Sequence, residues 1–555
     1  MSGAEDTGLN LATVWETVAD IQPTRPALIH GERVTTWGEF DSRAARLAGH
    51  LDARGIGHGD NVALYLHNCP EYLESTHAVF KVRAATVNVN YRYLESELLY
   101  LFENSESVAI IFDAAFAERV DSIRGQLDRV RTFICVGADE VNLVPDWAVS
   151  YDEVVATTEA MDRIERSDQD LWLLYTGGTT GSPKGVMWPH SSLLQTAAAT
   201  FAVVKRPIPT SVDEVADALR AFADLKKWVK LLPAAPLMHG TSAITALGVL
   251  CAGGTVVTLT SRSFDADELW HAVQANRVSQ LTIVGDAFAK PMLQSLEEAA
   301  AAGQPFDISS LRVVLSSGVM WSKESKDAIH DWTSATLADS LGSSEGVGFA
   351  TSVSRRGSSV STARFVLGPN AGVFTDDGRR VMPGSGERGL LAVGGAIPIG
   401  YYNDPAKSAE TFRTFEGRVW SVPGDFAEVE ADGTIRLLGR GSACINTAGE
   451  KVYPEEVEEA LKSHPGVRDA NVVGVPDDKW GSAVHAVVSL AAGTWLAGTD
   501  SQAIEATLIN HCREQLSGYK CPKVIHLVDE VERGPNGKPD YKWAFTAATG
   551  SASQR

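Results

Sequence analysis

The residues from Tyr175 to Gly185 read YTGGTTGSPKG, with Lys184 as the only charge. Backbone N–H groups of Gly177, Gly178 and Gly181 can turn into one concavity. Thr176, Thr179, Thr180 and Ser182 add hydroxyl donors, and Lys184 adds positive charge, a composition that suits phosphate. A Walker A loop needs its lysine directly after a glycine and a hydroxyl directly after the lysine. Lys184 follows Pro183 and precedes Gly185, so a P-loop kinase or ATPase is not supported. Glycine clusters also make ordinary turns, and on its own the loop leaves phosphate binding and a plain surface turn evenly balanced.

Such a loop needs strands to hold it. NVALYL, VAIIFD, TFICVG, LWLLYTGG, TVVTLT, LTIVG and LRVVLSSG are short β-branched runs that read as buried strands. PEYLESTHAVFKVRAA, with Pro70 near its start, reads as a helix between the first two. That alternation predicts an α/β fold with largely parallel sheets. After about residue 370, Asp-Gly pairs separate short runs, which predicts hairpins and a small β-rich unit. Beyond Arg440, YPEEVEEALKSHPGV predicts a helix with Pro454 at its first position, Glu455 and Glu456 in its first turn, and Val457 and Leu461 on one face. The expected division is a large N-terminal domain, 1–440, and a small α/β C-terminal domain, 441–555.

Composition narrows the partners. The chain has 555 residues and a net charge of −21, so it repels polyanions and nucleic acid is not an expected partner. Six cysteines stand singly, without CxxC or paired histidines, which fits reduced thiols better than a zinc site or a disulfide framework. The N-terminus lacks the basic and apolar regions of a signal peptide. From Leu231 to Ser261 there is no Asp, Glu, Lys or Arg, but Pro233, Pro236, His239, Gly240, Gly253 and Gly254 interrupt the run. It parses as loop, helix and buried strand, with no integral membrane segment. The expectation is a soluble cytoplasmic protein whose oligomeric state is open, a homodimer being one option.

An apolar strand followed by TGGTTGSPKG resembles the adenylate-forming superfamily of acyl-CoA synthetases, adenylation domains and luciferases. Further stretches match in the family's order: PLMHG at 236–240, SSGVMWS at 316–322, DSLGSSEG at 339–346, GYYNDP at 400–405, WSVPGD at 420–425, GRGSACINTAGEKVYPEEVE at 439–458 and GPNGKPDY at 534–541. The run INTAGEKVYPEEVE is most similar to bacterial fatty-acyl and steroid-side-chain CoA synthetases. The resemblance implies a carboxylic acid activated with ATP and magnesium to an acyl-adenylate, then passed to CoA.

By the same resemblance, Lys538 bridges the carboxylate and the α-phosphate, where negative charge accumulates. Glu345 is a magnesium ligand, a carboxylate for a hard cation; taken alone, its Ser-Ser-Glu step reads rather as a helix cap. Asp425 receives the ribose hydroxyls, and Arg440 adds charge near ribose and phosphate. Ser317, Gly318, Asp339, Ser340, Leu341, Gly342 and Ser344 surround the nucleotide. Gly441 and Ser442 fall at the family's hinge, and Gly449, Glu450 and Lys451 in its thioester loop. His239, Gly240 and Gly285 border the acyl pocket.

The chain departs from the family at several points. Leu341 stands where many relatives have tyrosine, Ser344 replaces threonine, and Pro423 replaces a threonine before Gly424. Amino-acid-activating relatives place an aspartate directly after the His239 position to pair with ammonium; here it is Gly240. An unpaired buried ammonium is costly, so an apolar acid is expected. Two alternatives stay open: loading of a free-standing acyl carrier protein in place of CoA, and a non-catalytic acyl or nucleotide sensor.

Overall fold

The computed structural model describes residues 8–138, 143–176, 183–319, 321–357, 364–440, 445–447, 450–477, 481–494, 498, 500–516, 518–534 and 537–550. Two large sheets dominate the N-terminal region. One runs in the order 149–150, 132–136, 107–113, 61–65, 85–88, 171–176, 184–189. It is parallel except for its last pair, where Thr176 stands opposite Lys184. NVALYL, VAIIFD, TFICVG and LWLLYTGG form four of these strands, and their central residues are buried because helices cover the sheet.

The second sheet is parallel through 26–30, 255–258, 230–233, 280–283, 313–317 and 336–343. It turns antiparallel at the hairpin 336–343/346–354 and continues through 364–367, 434–440, 425–429 and 388–394. The β-rich hairpins expected after residue 370 are present. They extend this second sheet instead of forming a separate one.

Helix Pro70–Lys81 begins with its proline at the first turn, as predicted, where a missing N–H costs nothing. Helix Trp37–Asp52 is set by a capping box between Thr36 and Glu39. The uncharged stretch resolves into strand Lys230–Pro233, a loop, helix Gly240–Cys251 and strand Thr255–Thr258. Among the described residues no helix is long and apolar enough to cross a membrane.

The C-terminal region has its own three-stranded sheet, 467–477, 481–490 and 524–528, and its own apolar core under helix Pro454–Lys462. In that helix Val457 and Leu461 are buried and Glu455 and Glu456 occupy the first turn. This region meets the N-terminal one directly. Arg436 Nη1 lies 3.4 Å from Glu456 Oε1, and Lys290 Nζ donates to the carbonyl of Arg468 at 2.9 Å.

Candidate active site

A cavity of about 1300 Å³ opens between the two large sheets and the C-terminal region. Thr176, His239, Gly240, Ser317, Gly318, Ser340, Gly342 and Ser344 line it from the N-terminal side, and Lys538 lines it from the other. Lys538 is held by a tight turn. Its carbonyl accepts from the Gly534 amide at 2.8 Å, and Arg533, paired with Asp469 at 2.5 Å, donates to the carbonyl of Gly537. Gly537 has φ +73°, and a Cβ there would sit 3.3 Å from Ala287 Cβ. Glycine therefore lets the turn pass helix Gly285–Ala301 and deliver the lysine.

His239 caps helix Gly240–Cys251, whose first turn faces the cavity through Gly240 and Thr241. The unsatisfied amides and dipole of a helix start favour an anion such as a carboxylate. His239 Nε2 is sealed from solvent with no hydrogen-bond partner among the described residues. Burial, followed by the positive charges of Lys538 and Arg92, pushes its pKa down to about 3, so the ring is neutral at pH 7. A Cβ on Gly240 would lie 3.0 Å from Leu174 Cδ2. Glycine supplies no carboxylate here, and any side chain at this position would have to shift the Leu174 methyl by a few tenths of an ångström.

Strand alternation separates the nucleotide-site expectations. Ala338, Ser340 and Gly342 line the cavity, whereas Asp339 and Leu341 at the alternate strand positions do not; past the register shift at Leu341/Ser343, Ser343 and Ser344 line it together. Asp339 is buried and pairs with the equally buried Lys326 at 3.1 Å. Burial pushes its carboxyl up to about 6 even so. Its place is behind the wall, not in it. Leu341 packs on the apolar cluster around Phe349 and Val393. Gly285 also stands back: it is buried, with its amide donating to Ser316 Oγ at 2.9 Å, and its neighbour Val284 lines the cavity instead.

Glu345 lies in the turn of the hairpin 336–343/346–354, with Ser343 opposite Gly346, so the helix-cap alternative does not hold. Its Oε1 accepts from the Tyr401 hydroxyl at 2.8 Å. Lys184 is paired with Asp404. Both partners come from GYYNDP, a stretch whose role sequence reasoning left unassigned. Backbone bonds dock that stretch on strand Lys184–Pro189: Tyr402 N to Gly185 O at 2.7 Å and Met187 N to Gly400 O at 2.9 Å. One segment thereby holds both Glu345 and Lys184. Asn88 was also missed. It donates to the carbonyls of Tyr175 and Met238 and accepts from the Tyr175 amide, tying the loop strand to the His239 loop. No motif marks it; only a buried amide among apolar residues would have drawn notice.

Asp425 and Arg440 are register partners on strands Asp425–Val429 and Thr434–Arg440. Glu450 and Lys451 lie on a short strand paired with 445–447. Gly177, Gly178, Thr179, Thr180, Gly181, Gly441, Ser442 and Gly449 lie outside the described residues.

A sequence profile described as "AMP-binding enzyme" matches residues 15–402, and one described as "AMP-binding enzyme C-terminal domain" matches residues 456–538. The chain belongs to the AMP-binding enzyme family. It is 41% identical over 541 residues, 97% of this chain and 96% of the relative, to a medium/long-chain-fatty-acid–CoA/3-oxocholest-4-en-26-oate–CoA ligase of Mycolicibacterium smegmatis. It is 39% identical over 545 residues, 97% of this chain and 95% of the relative, to a 3-oxocholest-4-en-26-oate–CoA ligase of Rhodococcus rhodochrous. In fold it matches a crystal structure of an anthranilate CoA ligase in complex with anthranoyl-AMP, with a TM-score of 0.82 over 98% of both chains at 20% identity. This AMP-binding enzyme is an AMP-forming acid–thiol ligase: it activates a carboxylic acid with ATP and transfers the acyl group to CoA.

Proposed function

We propose that the acid is a long or bulky apolar one, a medium- to long-chain fatty acid or the side-chain acid of a steroid. One observation carries the reading. Lys538 and the neutral His239 share one large cavity with the start of helix Gly240–Cys251, and Gly240 offers no carboxylate to pair an ammonium. The substrates named for the relatives support it.

In this reading the carboxylate enters against the helix start, and Lys538 supplies positive charge between it and the α-phosphate, where charge builds in the transition state. His239, uncharged, accepts or donates one hydrogen bond and does not compete with Lys538 for the anion. The loop 176–184, with Ser317, Gly318, Ser340, Gly342 and Ser344, holds the nucleotide, and Asp425 and Arg440 hold its ribose. A magnesium ion fits Glu345: magnesium with a triphosphate needs only one or two protein carboxylates, and Tyr401 occupies just one oxygen of this one. Bound there, it would neutralise phosphate charge. We assign 1–440 to the adenylating domain and 441–555 to a mobile domain, with the hinge at Gly441 and Ser442 and the thiol guided by Gly449, Glu450 and Lys451. A cytoplasmic setting completes the proposal.

The test is incubation with ATP, magnesium, CoA and a mixed panel of fatty, aryl and steroid-side-chain acids, read by mass spectrometry. Formation of a fatty or steroid acyl-CoA together with AMP is expected. Selective use of small aryl acids would overturn the substrate class, and AMP without thioester would point to a carrier protein.

A further inference from the structure

One buried side chain is hydrogen-bonded to both halves of the site. Asn88 ends strand Ala85–Asn88 and is 4% exposed. The strand meets Leu171–Thr176 at a single register pair, Val87 opposite Leu173. Beyond that pair the Asn88 carboxamide takes over as partner. Its Nδ2 donates to the Tyr175 carbonyl at 2.8 Å, and its Oδ1 accepts from the Tyr175 amide at 2.5 Å. Nδ2 also donates to the Met238 carbonyl at 2.5 Å. A carboxamide has two N–H donors, and here both are used.

The two residues it holds each lead into the cavity. Tyr175 precedes Thr176, Met238 precedes His239, and Thr176 and His239 both line the cavity. Tyr175 is itself fixed. Its hydroxyl donates to Asn104 Oδ1 at 2.8 Å, and its ring lies over Gly185, where a Cβ would collide with it. Asn68 holds the other loop from outside, accepting from the Leu237 amide at 2.6 Å and donating to the Ala235 carbonyl at 3.2 Å. Asn68 steadies one loop; Asn88 joins that loop to the strand that carries Thr176.

We propose that Asn88 is a positioning residue for adenylation, setting the separation between the incoming carboxylate and the α-phosphate. The inference rests on the reading above, in which the carboxylate meets the helix start and loop 176–184 holds the nucleotide. Other groups bind the two substrates, so Asn88 controls their alignment. Alignment matters while the carboxylate oxygen bonds to phosphorus and pyrophosphate leaves, and a misplacement of about 1 Å costs on the order of 100-fold in rate. Once the acyl-adenylate exists, a covalent bond holds its two parts together, and the step to the thioester no longer depends on Asn88.

The experiment uses the full chain with magnesium, ATP and decanoic acid. Three measurements are made on each preparation: pyrophosphate release at saturating substrates, thioester formation from preformed decanoyl-adenylate and CoA, and the separate dissociation constants of ATP and decanoate. Asn88→Ala deletes the carboxamide, and the nearly isosteric Asn88→Asp keeps the acceptor but sets an oxygen against both carbonyls. Each is expected to lower adenylation about 100-fold while thioester formation and both dissociation constants stay within about three-fold of wild type. Both half-reactions are read on one preparation, so any loss of folded protein cancels in their ratio. An unchanged ratio in both variants, or a loss confined to the affinity for one substrate, overturns the role of Asn88 alone. Gly240→Asp, measured alongside, tests the reading beneath it. Unaltered adenylation of decanoate in that variant would show that the carboxylate does not meet the helix start, and the inference would fall together with the reading.

Discussion

Tyr401 and Glu345 are joined by a 2.8 Å hydrogen bond from phenol to carboxylate, which links the GYYNDP segment to the hairpin turn beside the cavity. The Tyr401 ring is buried and packs against Phe412, so its hydroxyl is a fixed point. It occupies Oε1 and aims the carboxylate. Tyr401→Phe keeps the ring and removes only that bond. The expected result is a several-fold higher magnesium concentration for half-maximal adenylation, with the thermal midpoint changed little, because the lost bond is worth about 1 kcal/mol. An unchanged magnesium dependence would show that Glu345 is not held for the cation.

Lys538 can be tested by separating the half-reactions. Lys538→Ala should lower adenylation by 100-fold or more, on the order of what one preorganised charge contributes. Conversion of a preformed acyl-adenylate and CoA to the thioester should stay within a few-fold of wild type. Equal loss of both steps would contradict a role confined to phosphoryl transfer.

How much of this was legible in the sequence follows from how local each signal is. Strands such as VAIIFD and the helix at Pro70 and Pro454 were readable because apolar runs and first-turn prolines act within a few residues. Lys538, His239 and Ser340 were legible through motif order, and they share one cavity. Asp339 and Leu341 do not line that cavity, because a motif does not say which way a strand residue points, and Gly285 stands behind Val284 at the start of its helix. The alternation of strand Thr336–Ser343 sends Asp339 to Lys326. Asn88, Tyr401 and Asp404 were missed because their partners lie 87, 56 and 220 residues away, and only folding brings them together.

His239 gives a pH prediction. Its folded pKa of about 3 lies below the ordinary 6.5, so between those values the unfolded chain binds the extra proton. Stability therefore rises with pH through that window and is lost as pH falls from about 6.5 towards 3. His239→Gln should reduce the slope of that part of the stability–pH curve without abolishing it, because burial holds His50, His77 and His190 low as well. In the pH–rate profile of adenylation, His239 should produce no step near 6.5. A step there that disappears in His239→Gln would show that the ring titrates normally and faces water.

Gly240 separates acid classes by volume as well as charge. An added Cβ would press on Leu174 Cδ2 at 3.0 Å, closer than ordinary contact, and an aspartate would bring a negative charge to the helix start that the incoming carboxylate needs. Gly240→Asp should lower kcat/KM for fatty acids by at least 10-fold, about 1.4 kcal/mol or more. Gly240→Ala, which adds volume without charge, should cost less. Amino acids should not become substrates, because a single added carboxylate at the helix start opposes the substrate's own carboxylate there. Activity of Gly240→Asp on an α-amino acid, measured by pyrophosphate release, would show instead that charge alone sets the acid class at this position.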